Sequence, residues 1–142
     1  MKKSTSIVLA LAFIIGLIPD VANAKLVACV GDSITYGTGL SNRNYNSYPA
    51  QLARILQGFD SEWETRNFGV NGTCVLRKGS MPYITQSTFH DVLASEPDVV
   101  VIQLGVNDSV PNNWRYKDDF IPDFLVLIDA FAQLPTQPKI YI

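Results

Sequence analysis

The run Val99-Val100-Val101-Ile102-Gln103-Leu104 is apolar on both sides, with Glu96-Pro97-Asp98 ahead of it and Gly105 behind. Successive side chains of a strand point to opposite faces, so a run of this kind predicts a strand covered on both sides, as in a parallel sheet sandwiched by helices. The rest of the chain alternates to match. Residues 26–30 predict a first strand, residues 62–68 a second and residues 138–142 a fourth. Between them, Tyr48, Leu52, Ile55, Leu56 and Phe59 recur at helical spacing, with Pro49 in the first turn and Ser47 as the cap. Residues 88–95 predict a short helix, and Phe120, Phe124, Leu127, Ile128 and Phe131 a longer one with Pro122 near its start. Strand and helix in alternation give the fold class α/β, an open doubly wound parallel sheet with helices on both faces. Ligands of such sheets bind beyond the carboxyl ends of the strands.

Ahead of the first strand stands a different kind of segment. Lys2 and Lys3 precede an apolar run over residues 7–18, Pro19 breaks it, and Ala22-Asn23-Ala24 offers small residues at both positions that signal peptidase reads. As a helix that run would reach only ~18 Å against a bilayer core of ~30 Å, too short to span. Residues 1–24 are therefore expected to be a signal peptide, and residues 25–142 an exported domain, periplasmic or secreted, with no stable membrane insertion. Leu26-Val27-Ala28-Cys29 has the look of a lipoprotein box, but cleavage there would cut the first strand.

The formal charge of −2 becomes one unit more acidic without Lys2, Lys3 and Asp20, which argues against nucleic acid or anionic lipid as a partner. Export permits a disulfide, and the two cysteines leave a Cys29–Cys74 bridge open, although Cys29 reads equally as a small apolar strand residue. No zinc-ligand pattern occurs, and no cofactor or metal is expected.

Each of the first three strands ends in a distinctive turn: Gly31-Asp32-Ser33, then Asn67-Phe68-Gly69-Val70-Asn71-Gly72, then Gly105-Val106-Asn107-Asp108. Ser33 and Gly72 are 39 residues apart, and Gly72 and Asn107 are 35 apart, about one strand–helix unit each. If the first strand lies between the second and the third, Ser33 sits with Gly72 on one flank and Asn107 on the other, neighbouring strands being ~4.8 Å apart. That constellation suits acyl transfer. A serine hydroxyl attacking an ester carbonyl creates an oxyanion, and the backbone N–H groups of Ser33 and Gly72 and the side-chain amide of Asn107 would receive it.

The segments "GDSITYG", "NFGVNG" and "GVND" resemble the first three signature blocks of the SGNH, or GDSL-type, hydrolases, a family of esterases, lipases, thioesterases and carbohydrate deacetylases. The resemblance runs from Leu26 to Ile142 and implies a flavodoxin-like α/β/α fold, with Ser33 as nucleophile and Gly72 and Asn107 in the oxyanion hole. Asp32 and Asp108 fall on motif positions that shape their turns. The family's fourth element, an Asp-x-x-His near the C-terminus, has no counterpart here, and the single histidine, His90, reads as a surface or packing residue. The sheet is thus expected to be incomplete at the C-terminus, the 142 residues stopping before the catalytic Asp and His, with little turnover as written. Trp114, Arg115 and Tyr83, on the loops after the second and third turns, are candidates to bind substrate. The expected partner is a small-molecule or glycan ester, with a short acyl group on a carbohydrate preferred. A lipid or thioester substrate, or a non-catalytic carbohydrate-binding remnant, stays open.

Overall fold

The computed structural model describes residues 24–142. The leader expected over residues 1–24 lies, apart from Ala24, outside the described residues. Four parallel strands, β1 (Lys25–Gly31), β2 (Trp63–Gly69), β3 (Val99–Gln103) and β4 (Lys139–Tyr141), form one sheet in the order β2-β1-β3-β4. The first strand is therefore flanked by the second and third. Gly31, the last residue of β1, pairs with Gly69 on one side and Gln103 on the other, so the three strands end at one level.

The helices divide between the two faces of the sheet. Ala28 and Val30 of β1 and Val100 and Ile102 of β3 point to one face, where they meet Phe89 and Val92 of α4 (Ser87–Ala94) and Leu127 and Phe131 of α6 (Phe120–Ala132). This is the main core. A fully buried large aliphatic or aromatic side chain contributes ~1.5–3 kcal/mol relative to exposure, which makes this face the principal source of stability. On the opposite face lies α3 (Tyr48–Phe59), tied to β2 by the Thr65 hydroxyl donating to the Pro49 carbonyl at 2.7 Å.

Several boundaries and details differ from the sequence expectations. Val100 and Ile102 are buried, but Val99, Val101 and Gln103 are only half-buried, so β3 is fully covered on one face rather than both among the described residues. The reason is placement: α3 packs on β2, at the far side of β1 from β3. Ser47 stands at the N-cap of α3 but makes no capping bond with its side chain, and Pro49 removes one of the N–H groups that would otherwise need a partner. The polar stretch after β1 is not simply a loop. It begins with the short helix α1 (Ser33–Tyr36) and contains α2 (Arg43–Asn46). Four-residue helices bury too little to leave a periodic pattern, which explains why hydropathy does not reveal them.

Cys29 and Cys74 are both free and buried, so the structure contains no bridge between them. Burial, partly offset by a hydrogen bond with Tyr48, pushes the Cys29 thiol up to about 11.

Candidate active site

Ser33 is the first residue of α1, one residue beyond a β1 that ends in glycine. Two residues fix the turn. Asp32 caps the helix, its carboxylate accepting from the Ile34 N–H at 2.9 Å. Gly31 has no room for a side chain, since a Cβ there would collide with the Thr35 side chain and lie 2.6 Å from the Gln103 carbonyl. The strand is thus forced to turn where the packing of α1 leaves no alternative, and the half-buried Ser33 is delivered at its end.

On the β2 side, α1 is held by asparagines. The Asn67 amide donates to the Thr35 carbonyl at 2.8 Å, and the Thr38 hydroxyl donates to the Asn71 side-chain oxygen at 2.7 Å. The Val70 N–H adds a bond to the Gly31 carbonyl at 2.9 Å. Gly72 follows directly, with φ of +80°, the left-handed region that a side chain disfavours. Thr73, the next residue, is buried and accepts at its carbonyl, at 2.9 Å, a hydrogen bond from the Asn107 side-chain amide. The neighbours of Gly72 on either side therefore bond to the Ser33 helix and to Asn107. The three turns form one connected structure.

Asn107 is placed by its surroundings as much as by its strand. Asn113, on α5 (Pro111–Trp114) and 1 % exposed, donates from its amide to the Asn107 carbonyl at 2.8 Å. Asp108 is fully buried, and its two oxygens accept the Val75 and Leu76 N–H groups at 3.0 and 2.8 Å. The Asp123 carboxylate takes the Arg77 N–H at 2.7 Å, and the Asn113 oxygen takes the Ser80 N–H at 2.8 Å. Buried carboxylates and amides of this kind are retained because unpaired loop N–H groups would be costly. Asp108 was expected to shape its own turn. It shapes the loop after β2 instead. Asn113 and Asp123 carried no sequence signal, because both lie in ordinary loop and helix context and act on residues more than thirty positions away.

The substrate-facing candidates separate. Trp114 is 45 % exposed, its ring edge-on to Phe120 at 6.2 Å, and Arg115 is exposed with its guanidinium 4.6 Å from the Tyr116 ring centre. Tyr83 is a correction. It is fully buried in the core, donates its hydroxyl to the Phe68 carbonyl at 2.7 Å, and has no surface to offer a ligand. His90 is exposed on α4, its ring edge-on to Phe89 at 5.4 Å. Ser33, Ile34, Gly37, Thr38 and Leu40 line an open hollow of about 330 Å³. A larger one of about 650 Å³ lies between Arg77, Lys78, Thr85, Asp119 and Asp123, away from the three turns, whereas the smaller is the one that Ser33 lines. Among the described residues no cluster of His, Cys, Asp and Glu could hold a metal ion, and no helix is long and apolar enough to cross a membrane.

A family model, the GDSL-like lipase/acylhydrolase family, matches residues 29–141. The chain belongs to that family. This GDSL-family chain is 46% identical over 116 residues to an acetylxylan esterase of Xylanibacter ruminicola, a match covering 82% of the chain and 24% of the relative. It therefore spans about a quarter of that relative's length. Among solved structures it resembles a two-domain esterase (CEX) active on acetylated mannans, co-crystallized with mannopentaose (TM-score 0.64, 23% identity, 82% of this chain and 29% of that one). It also resembles TesA (TM-score 0.63, 20% identity, 82% of this chain and 58% of that one). These structural likenesses establish the fold. The parallel α/β sheet that ends at the Ser33 turn is the fold shared with those two structures.

Proposed function

We propose that the protein is a serine ester hydrolase that removes short acyl groups, acetyl above all, from a carbohydrate. Ser33 Oγ attacks the ester carbonyl, the C=O electron pair moves onto oxygen, and the oxyanion is received by the Ser33 N–H, the Gly72 N–H and the Asn107 amide. Collapse expels the sugar alkoxide, which takes up a proton, and water then releases the acid from Ser33.

The observation that carries this reading is the Asn107 amide. An amide nitrogen has two hydrogens; one bonds the Thr73 carbonyl, and the other is left for a ligand. The N–H of Ser33, in the first turn of α1, is likewise not needed by the helix. The name of the Xylanibacter ruminicola relative supports acetyl ester chemistry on a glycan. Trp114 and Arg115, exposed after β3, are proposed to contact the sugar, and the export expected from residues 1–24 is proposed to bring the chain to a polymer substrate.

The reaction also needs an acceptor for the Ser33 proton. The sole histidine is on α4, and no Asp-x-x-His motif occurs in these 142 residues. A missing base typically forfeits a factor of ~100–10,000, so low turnover is expected of the chain as written. Acetate release from acetylated xylan and from p-nitrophenyl acetate, each compared with Ser33→Ala, tests the proposal. Slow, Ser33-dependent release supports it, and release that Ser33→Ala leaves unchanged overturns it.

A further inference from the structure

Asn113 is the most heavily committed polar side chain beside the site. Its oxygen accepts the Ser80 N–H at 2.8 Å, and its nitrogen donates to the Ser80 hydroxyl at 3.2 Å and to the Asn107 carbonyl at 2.8 Å. Both amide hydrogens are used, and the group is 1 % exposed. It cannot turn over without placing donor against donor at Ser80 and acceptor against acceptor at Asn107. Gly79 closes around it, since a Cβ there would lie 3.4 Å from the Asn113 side-chain carbon and 2.5 Å from the Cys74 sulfur.

We propose that Asn113 is a positioning residue for the oxyanion hole, holding the Asn107 main chain so that the second hydrogen of the Asn107 amide faces the acyl oxygen above Ser33. The inference rests on the esterase reading and deepens it. The path is short and physical. Asn113 fixes the Asn107 carbonyl, Asn107 fixes its own amide against Thr73, and Thr73 follows Gly72 in the chain. Asn113 touches no reacting atom in this scheme. It acts through Asn107, and a displacement of about 1 Å at such a donor costs on the order of 100-fold in rate.

Asn113→Asp separates positioning from folding. The substitution keeps shape and the acceptor for the Ser80 N–H but places a carboxylate oxygen against the Asn107 carbonyl. Burial raises the pKa of the new carboxyl. As pH falls the carboxyl protonates, and its O–H donates to Asn107 as the amide did.

The measurement is phosphonylation of Ser33 by a fluorophosphonate, followed by mass. A P–O bond forms, the P–F bond breaks, and fluoride and the hydroxyl proton pass to solvent. At pH 8 the variant is expected to react ~10–100-fold more slowly than the unsubstituted chain. The ratio of the two rates should rise back toward one as pH is lowered to 5. Because a buried carboxyl makes stability itself pH-dependent, a purely structural role would lower the labelled fraction only in step with the folded fraction at each pH, whereas a positioning role lowers the rate constant of the fully folded chain. A pH-independent ratio, or equal rates at pH 8, overturns the inference while leaving the esterase reading intact. An unsubstituted chain that is not labelled at Ser33 even with imidazole supplied as the base removes both. Hydrogen exchange on the unsubstituted chain tests the clamp even where the variant does not fold. The Ser80 N–H, in an exposed loop, is expected to exchange slowly, and exchange at the unprotected rate overturns the proposal.

Discussion

The Asn107 side-chain amide donates to the Thr73 carbonyl at 2.9 Å, linking the turn after β3 to the turn after β2 across the end of β1. Ser33 lies in the turn between them. This single bond takes one hydrogen of the Asn107 amide, and its partner is the residue beside the left-handed Gly72.

Removing the amide has two separable consequences. Asn107→Ala should lower the Ser33-dependent rate by ~100–1000-fold, the usual cost of one oxyanion donor. It should also cost ~1 kcal/mol in stability, because the Thr73 carbonyl loses its partner. Rate constants for phosphonylation, alongside urea unfolding, distinguish the two effects.

Under the proposed mechanism, a base supplied from solution should act on Ser33 in place of the one these 142 residues do not provide. Imidazole added at tens of millimolar is expected to raise p-nitrophenyl acetate hydrolysis above the free-imidazole background, and Ser33→Ala should abolish the increment. His90→Ala should leave that increment unchanged, since His90 is a surface residue of α4 packed on Phe89.

The loop residues make opposite predictions. Trp114→Ala should raise KM for acetylated xylan several-fold and leave p-nitrophenyl acetate unaffected, because an exposed indole can contact a sugar that a small ester lacks. Tyr83→Phe removes a buried hydrogen bond to Phe68 and should cost ~1 kcal/mol of stability with KM unchanged. Kinetics on both substrates and a denaturation curve check the pair.

Cys29 gives a pH signature. Its folded-state pKa is raised by burial from 9.0 to about 11, so the neutral thiol is favoured in the folded state. The associated stability is fully present below pH 9 and is lost as pH rises from there through about 11. Urea midpoints measured from pH 8 to 11 should fall, and Cys29→Ala should flatten that part of the decline. At pH 8 neither buried thiol should react with iodoacetamide until the protein unfolds.

The sequence revealed the parts of the fold and site that depend on local pattern. The β-branched run at Val99 and the apolar spacing from Phe120 mark β3 and α6 because burial imposes a period on residues. The turns that carry Ser33, Gly72 and Asn107 were legible because each follows a strand and breaks its pattern with glycine, asparagine or aspartate. The clamp was not. Asp108, Asn113 and Asp123 bond to Val75, Leu76, Arg77 and Ser80, partners separated from them by 32 to 46 residues, and hydrogen-bonding types in a loop leave no periodic trace. Tyr83 misled for a related reason. An aromatic in a polar loop looks like a binding group until its hydroxyl is seen on a strand carbonyl.

The most direct measurement is peptide mapping of the chain after reaction with a fluorophosphonate, with Asn107→Ala treated in parallel. The account predicts a single adduct on Ser33, formed at least ~100-fold more slowly when the Asn107 amide is absent. An adduct on any other residue, or equal labelling of Ser33 with and without that amide, would contradict it.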